Sequence, residues 1–288
     1  MNTAIIILFN IFLGIGVLVL TTMSLAVIYG FMRIINLAHG EFMMLGAYSV
    51  WFSTSLGVNI WIAILIIAPL VVAIIGVIIE RTIIRFLYGR IIDTMLATWG
   101  VSLLLIGTVT ALFGNHVRGL STPLGSFSIG DYGVSYYSLA LVVISFVALF
   151  GLWAVFRFTR FGLIVRATML RPEMAAALGI NRDRVYVMTF ALGAGLAGLA
   201  GGVIAPLAGV FPSMGMVYII KAFIAVLIGG PAAITGITIA SSLLAPVSVV
   251  GSFLASSVVG EIALLTLAIV LIRLLPMGIT GRWPRLSL

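Results

Sequence analysis

The sequence predicts an all-α polytopic membrane protein, a transmembrane bundle of about eight to nine hydrophobic segments, some broken or re-entrant. Three observations carry this expectation. Of 288 residues, 63% are hydrophobic and 8% are charged, with a mean hydropathy of +1.34, so polar side chains are too few to coat a water-soluble globule. Apolar runs of about 20 residues, the length a helix needs to cross ~30 Å of hydrocarbon, recur along the chain. The strict alternation of a membrane barrel is missing from the sequence, which leaves helices to satisfy the backbone in lipid.

The clear runs are Ala4 to Tyr29, Ile60 to Ile79, Ile91 to Phe113, Tyr136 to Phe156, Tyr186 to Gly209 and Leu254 to Leu275. The first lacks a basic leader and is too long for a cleavable signal, so it reads as a first span. Cysteine is absent, which excludes disulfides, thiolate chemistry and cysteine metal sites. The net charge of +8 would suggest nucleic acid in a soluble protein. Here the arginines flank apolar spans and read as topology signals, so no nucleic-acid partner is expected.

Thirteen of the fifteen basic residues fall in four places: Arg33; Arg81, Arg85 and Arg90; Arg157 through Arg184; and Arg273, Arg282 and Arg285. The positive-inside rule puts all four in the cytoplasm. The loop Asn115 to Ser135, with Arg118 as its one basic residue, then lies outside. The N-terminus is expected outside and the C-terminus in the cytoplasm. The third and fourth groups share a side only if Val217 to Val250, interrupted at Gly229-Gly230-Pro231, contributes two short crossings or a re-entrant loop. Two segments therefore look broken, INLAHGEFMMLGAY from Ile35 and FIAVLIGGPAAITG from Phe223, one in each half of the chain. Matched interruptions of this kind point to a transport pathway, because freed backbone groups are tolerated at depth only beside protein or a wet cavity. Tight helical hairpins would give the same pattern.

The polar island of residues 160–185 sits between two spans. Pro172 suits the first position of a helix and Glu173 its first turn, and Gly179 ends the short alanine-rich stretch. A short helix on the basic side makes a docking knob for a soluble partner.

EMAAALGI, Glu173 to Ile180, resembles the cytoplasmic loop of ABC importer permeases that seats in the ATPase subunit. Its neighbours sharpen the likeness. GFMRIINLAHGEFMMLGAY from Gly30, DTMLATWGVSLLL from Asp93, RVYVMTFALGAGLAGLAGG from Arg184 and KAFIAVLIGG from Lys221 resemble motifs of the branched-chain amino acid permease family within bacterial ABC importers. The resemblance runs from about Leu18 to Gly281. It departs at Pro231-Ala232, where the family usually has a further glycine. It implies one permease domain over 1–288, with Arg171, Pro172, Glu173, Ala175, Ala176, Leu178 and Gly179 coupling to cytoplasmic ABC ATPase subunits. It also implies a second permease subunit, an external solute-binding protein and a bacterial inner-membrane location amid membrane lipid. No cofactor is expected on this chain, since ATP and magnesium belong to the partners. Close relatives import urea or short amides, and the long soluble N-terminal extension of some of those is missing here, which favours amino acids.

Ionisable and polar residues at membrane depth are functional candidates because burying them unpaired is costly. Asn36, His39 and Glu41 stand in the first broken segment, with Asn36 and His39 placed to share a helical face. Pairing of Arg33 with Glu41 near the interface, with His39 capping a helix, is the plainer expectation. Thr98 and Trp99 belong to a motif below the cytoplasmic arginines, and Gly229 and Gly230 mark the second break. Lys221, the sole lysine, reads as snorkelling to headgroups, and Glu261 as favouring a helix start. The glycines and alanines from Ala191 to Gly202 read as helix packing faces rather than a phosphate cradle, since no Gly-Lys-Ser/Thr triplet occurs. No metal-ligand spacing or catalytic constellation is present, so an enzyme is not expected. The expected function is an alternating-access permease of an ATP-driven importer for branched-chain or related amino acids. A urea or short-amide importer of the same family is the near alternative. From other classes, an ion-coupled carrier needs acidic sites at mid-membrane, where Glu41, Asp93 and Glu261 all read as too close to interfaces, and a passive channel needs no docking island.

Overall fold

The computed structural model describes residues 2–130, 132–230 and 233–282. Pro231, Ala232 and Arg285 lie outside the described residues. The chain begins with α1 (Asn2–Met32) and α2 (His39–Ser55). Next, α3 (Ile60–Ile62) passes through a π-helical stretch, Ala63–Ile67, into α4 (Ala68–Thr82), and α5 follows (Ile91–Phe113). A hairpin of β1 (Ser126–Ile129) and β2 (Tyr132–Ser135) leads into α6 (Tyr136–Phe158), α7 (Arg160–Leu170) and α8 (Pro172–Ala177). The chain closes with α9 (Arg182–Ala208), α10 (Met214–Gly229), α11 (Ala233–Leu254) and α12 (Ser257–Leu274). Seven of the described helical segments are long and apolar enough to cross a membrane.

Local chemistry sets several boundaries. Ser135, Thr159, Asn181 and Ser256 each cap the helix that follows by accepting a backbone N–H. The π stretch precedes Pro69, which has no N–H to donate and whose ring would crowd the carbonyl one turn back. The apolar run read as Leu254 to Leu275 is α12, which starts three residues later at Ser257 because Leu254 closes α11. The hairpin was not anticipated, although Gly-Asp between Ile129 and Tyr132 is a two-residue turn signal.

The centre of the bundle is α9, packed against α1, α2 and α4. Its small residues make this possible. A Cβ at Gly198 would lie 2.7 Å from the Ala68 carbonyl oxygen, one at Gly76 of α4 would lie 2.5 Å from the Ala194 Cβ, and Gly46 of α2 sits directly on the Gly198 backbone. With little hydrophobic gain between helices in lipid, such close approach supplies dispersion and backbone contact instead. The stripe from Ala191 to Gly202 is therefore packing, as its sequence suggested.

The described residues of the four basic groups gather at one end. Phe31, two residues before Arg33, stacks on Phe156 beside Arg157 at 4.4 Å. Arg85 pairs with Asp183 at 3.5 Å. α11 runs antiparallel to α1, since Gly14 faces Ala245 and Val249 while Ile234 and Ile237 share a cluster with Ile28 and Ile34. The Gly229–Gly230 turn thus lies at the Arg33 end, where Thr280 donates to the Gly229 carbonyl at 2.6 Å, and Arg273 lies in the last turn of α12. Val217 to Val250 is two helices broken at Gly230, as the charge pattern required. The opposite end is fastened by Arg118, which exchanges two backbone hydrogen bonds with Val210, donates to the Phe113 carbonyl and lies 4.1 Å above the Trp51 ring.

Valine at Gly201, whose Cβ would lie 2.5 Å from the Met43 carbonyl carbon, is expected to lower stability by ~3 kcal/mol or more through overpacking. Alanine at Gly107, which faces open space, should change it by less than ~0.5 kcal/mol. Thermal unfolding of the detergent-purified variants, followed by monodispersity, checks both.

Candidate functional site

Two interrupted helices meet near the middle of the bundle. After α1 ends at Met32, residues 33–38 run back to mid-depth, and α2 starts at His39 beside Thr21 and Ser24 of α1. Thr21 lies 11 residues above Met32, or about 16 Å along the axis, half the thickness of a bilayer core. On the other side α9 ends at Ala208, and α10 starts at Met214 after a short irregular stretch. Gly40 and Gly215, near the two helix starts, touch backbone to backbone; a Cβ at Gly40 would lie 2.6 Å from the Gly215 oxygen. From this contact α2 runs to the Arg118 end and α10 to the basic end, so the two units have opposite direction. Each is a long helix, a break and a half-length helix, the arrangement of an inverted repeat.

The pairing of breaks therefore differs from the sequence expectation. The counterpart of the 33–38 break is residues 209–213, between α9 and α10. Gly229 and Gly230 form instead the turn between α10 and α11, away from the centre. Gly230 has φ +81°, which only glycine adopts readily, and Gly229 packs on Gly236 across the turn. The misreading came from Gly-Gly-Pro, which punctuates turns and broken helices alike.

The first break carries a buried polar cluster. Asn36 precedes the helix, and its Oδ1 accepts from Ala38 N at 3.0 Å, so Asn36 and His39 do not share a helical face as expected. His39 Nε2 lies 3.2 Å from the Thr21 carbonyl oxygen and 3.1 Å from Ser24 Oγ. A carbonyl can only accept, so Nε2 carries the proton, and in the neutral imidazole Nδ1 is left as an acceptor. Thr98 of α5 joins the break by accepting from Leu37 N at 3.1 Å, and Ser102, one turn further, lies beside the Glu41 carboxyl. Glu41 is 1% exposed and makes no ion pair with Arg33 among the described residues, because Arg33 is exposed at the end of α1 with φ 52°. The first turn of α2 holds the carboxyl at depth instead. Asn36 Nδ2, His39 Nδ1 and Glu41 Oε2 have no hydrogen-bond partner. One unused donor and two unused acceptors thus come from six consecutive residues, at a depth where each unmet group costs about 1–3 kcal/mol. Sequence reasoning missed Thr21, Ser24 and Ser102, since hydroxyls that back-bond to their own helices leave no pattern in an apolar run.

Trp99 does not join this cluster. It is 56% exposed, on the far side of α5 from buried Thr98. Lys221 does not snorkel, but forms an ion pair with Glu261 of α12.

The stretch expected to dock a partner is exposed at the basic end. Arg171 precedes α8, Pro172 takes its first position and Glu173 its first turn. Gly179 N donates to the Ala176 carbonyl and Ile180 N to the Ala175 carbonyl, closing the helix with Gly179 at φ +82°. Ala175 is buried against the bundle, while Ala176, Met174 and Leu178 face outward. Nearby, the Tyr88 ring packs against Tyr186 at 4.6 Å with the planes tilted by 38°, and its hydroxyl donates to Glu80 at 2.5 Å. Burial, reinforced by Glu80, pushes the Tyr88 hydroxyl well above the usual tyrosine range and keeps it a donor.

Residues 7–275 match the sequence family described as the permease component of the branched-chain amino acid transport system. The chain belongs to this family. It is 29% identical over 280 residues to the high-affinity branched-chain amino acid transport system permease protein BraD of Pseudomonas aeruginosa, covering 91% of each chain. The likeness to the corresponding permease LivH of Escherichia coli K12 is also 29%, over 281 residues and 91% of each chain. A probable branched-chain amino acid transport permease LivH of Methanocaldococcus jannaschii is 27% identical over 292 residues, covering 94% of this chain and 91% of that one. No solved structure matches. Membership makes this chain a multi-pass membrane permease and disfavours the ion-coupled carrier. The depth of Glu41 would not have done so, because the sequence argument against a carrier placed that carboxyl near an interface.

Thr98→Val, which leaves the Leu37 N–H without its acceptor, is expected to lower stability by about 1–2 kcal/mol, while Thr98→Ser stays within ~0.5 kcal/mol. Parallel thermal unfolding of the two variants measures the difference.

Proposed function

We propose that this chain is a permease subunit of an ATP-driven ABC importer that carries branched-chain amino acids inward across a bacterial cytoplasmic membrane. The observation that carries this reading is the set of unsatisfied polar groups at the mid-depth helix break, in a chain whose family is named for that transport. A free α-amino acid presents an ammonium donor and a carboxylate acceptor. His39 Nδ1 and Glu41 Oε2 are matched to the first and Asn36 Nδ2 to the second. Asn36, His39, Glu41 and Thr98 thus form the polar part of the pathway, closed in this conformation, and alternating access opens it by moving one repeat unit against the other.

The permease performs no covalent chemistry in this reading. ATP and magnesium are used by two cytoplasmic ATPase subunits, which seat on Arg171, Pro172, Glu173, Ala176, Leu178 and Gly179 while Ala175 anchors α8 to the bundle. A second permease subunit completes the pathway, and an external binding protein delivers solute at the Arg118 end. The basic end is cytoplasmic by the positive-inside rule, which puts the N-terminus outside.

Two sets of variants test the two parts. Gly179→Asp or deletion of Glu173 to Leu178 should abolish co-purification of the ATPase while the permease still inserts; full ATPase retention would remove the docking assignment. Glu41→Gln should reduce leucine uptake at least tenfold in liposomes loaded with ATP, with ATPase binding unchanged. Urea uptake in place of leucine would move the solute to the short amides, and uptake that follows an ion gradient without ATP would sink the importer reading.

A further inference from the structure

Lys221 of α10 and Glu261 of α12 form an ion pair whose side chains remain 26% and 47% exposed. Its depth follows from the helices that carry it. Lys221 lies eight residues before the Gly229 turn at the basic end, about 12 Å along α10, and Glu261 lies 13 residues before Leu274, about 20 Å along α12. At the other ends, Lys221 lies seven residues after Met214 and Glu261 four residues after Ser257, so the pair stands a full turn or more inside both apolar helices, and the lysine is held by a carboxylate rather than extended toward headgroups. Around it the surface is apolar: Val217 and Ile220 on α10, and Val258, Ile262 and Leu265 on α12, are exposed. Acyl chains offer no hydrogen bond to either charge, and intramembrane charges of this kind face protein or a wet cavity rather than lipid. The outward face of α6, with Val143, Val147 and Phe150 exposed, carries apolar side chains alone at these positions and is an ordinary lipid-type surface.

We propose that the α10–α12 face centred on Lys221 and Glu261 is covered by the second permease subunit, which lays apolar side chains over the surrounding residues and a polar group over the pair. The assignment rests on the importer reading above for the existence of that subunit, and the ion pair locates it. Such a contact leaves the pair intact within this chain and screens it from lipid.

A photo-cross-linking residue, p-benzoylphenylalanine, introduced at Ile220, at Ile262 and separately at Phe150, tests this in membranes of cells producing the complete importer. Irradiation of the Ile220 and Ile262 variants should give an adduct with the mass of two permease chains, and Phe150 should give none. Capture of the second permease at Phe150, or only lipid adducts at Ile220 and Ile262, would overturn the assignment. ATPase co-purification and ATP-driven uptake, measured on the same membranes, report the importer reading separately: with both intact, a negative cross-link rejects the face and leaves that reading standing.

Discussion

The backbone contact between Gly40 and Gly215 is the constraint on which the site depends. A helix that stops in a hydrocarbon layer exposes N–H and C=O groups that lipid cannot satisfy. Two such stops are tolerated here because each covers the other, and only residues without a Cβ let the chains come that close. Larger side chains at either position would push the breaks apart and admit lipid to unpaired backbone. Mid-depth polar chemistry is therefore a consequence of packing: Asn36, His39 and Glu41 can be unsatisfied there because the glycine contact has already closed the site to the bilayer.

The same logic extends outward through α9. Its glycines draw α2 and α4 into backbone range, which fixes where α2 points and so where Glu41 meets Ser102. By contrast α5 rests on the bundle through few apolar contacts and is tied at polar points. Thr94 Oγ1 donates to the Leu87 carbonyl at 3.0 Å and Thr98 accepts from Leu37 at 3.1 Å. A helix held by a few hydrogen bonds can shift at smaller cost than one held by interlocked glycines.

Much of this was legible in the sequence, and the exceptions have physical causes. Apolar run length found the spans, because the bilayer sets one length for all of them. Grouping of Arg33, Arg85, Arg157 and Arg273 found the common end, because charges at span ends cannot be hidden. The first break and its candidates Asn36, His39, Glu41 and Thr98 were visible as polar residues in an apolar context, and the structure brings all four together. Trp99 stands apart from the other four because adjacent helical residues face different ways, and one residue separates a buried threonine from an exposed indole. Glu41 was assigned to Arg33 from sequence proximity, yet a turn at Arg33 sends the chain back to mid-depth and carries the two apart. The pairing of Gly40 with Gly215, 175 residues apart, leaves no local trace. Neither does the ion pair of Lys221 with Glu261, whose partners each had a sufficient explanation alone.

A continuous set of contacts joins the basic end, beside α8, to the break. Asp183 and Tyr186, just after the short helix α8, meet Arg85 and Tyr88. The loop holding those residues bonds through the Leu87 carbonyl to Thr94 at the base of α5, and α5 bonds through Thr98 to Leu37 beside Asn36. Spatial continuity alone does not establish coupling. What gives this chain of contacts weight is the difference in stiffness along it: α9 is locked by glycines and cannot yield, whereas α5 is the loosely packed member. A displacement imposed on α8 and the start of α9 therefore has one compliant outlet on this route, and that outlet carries the hydroxyl that holds the broken segment in place.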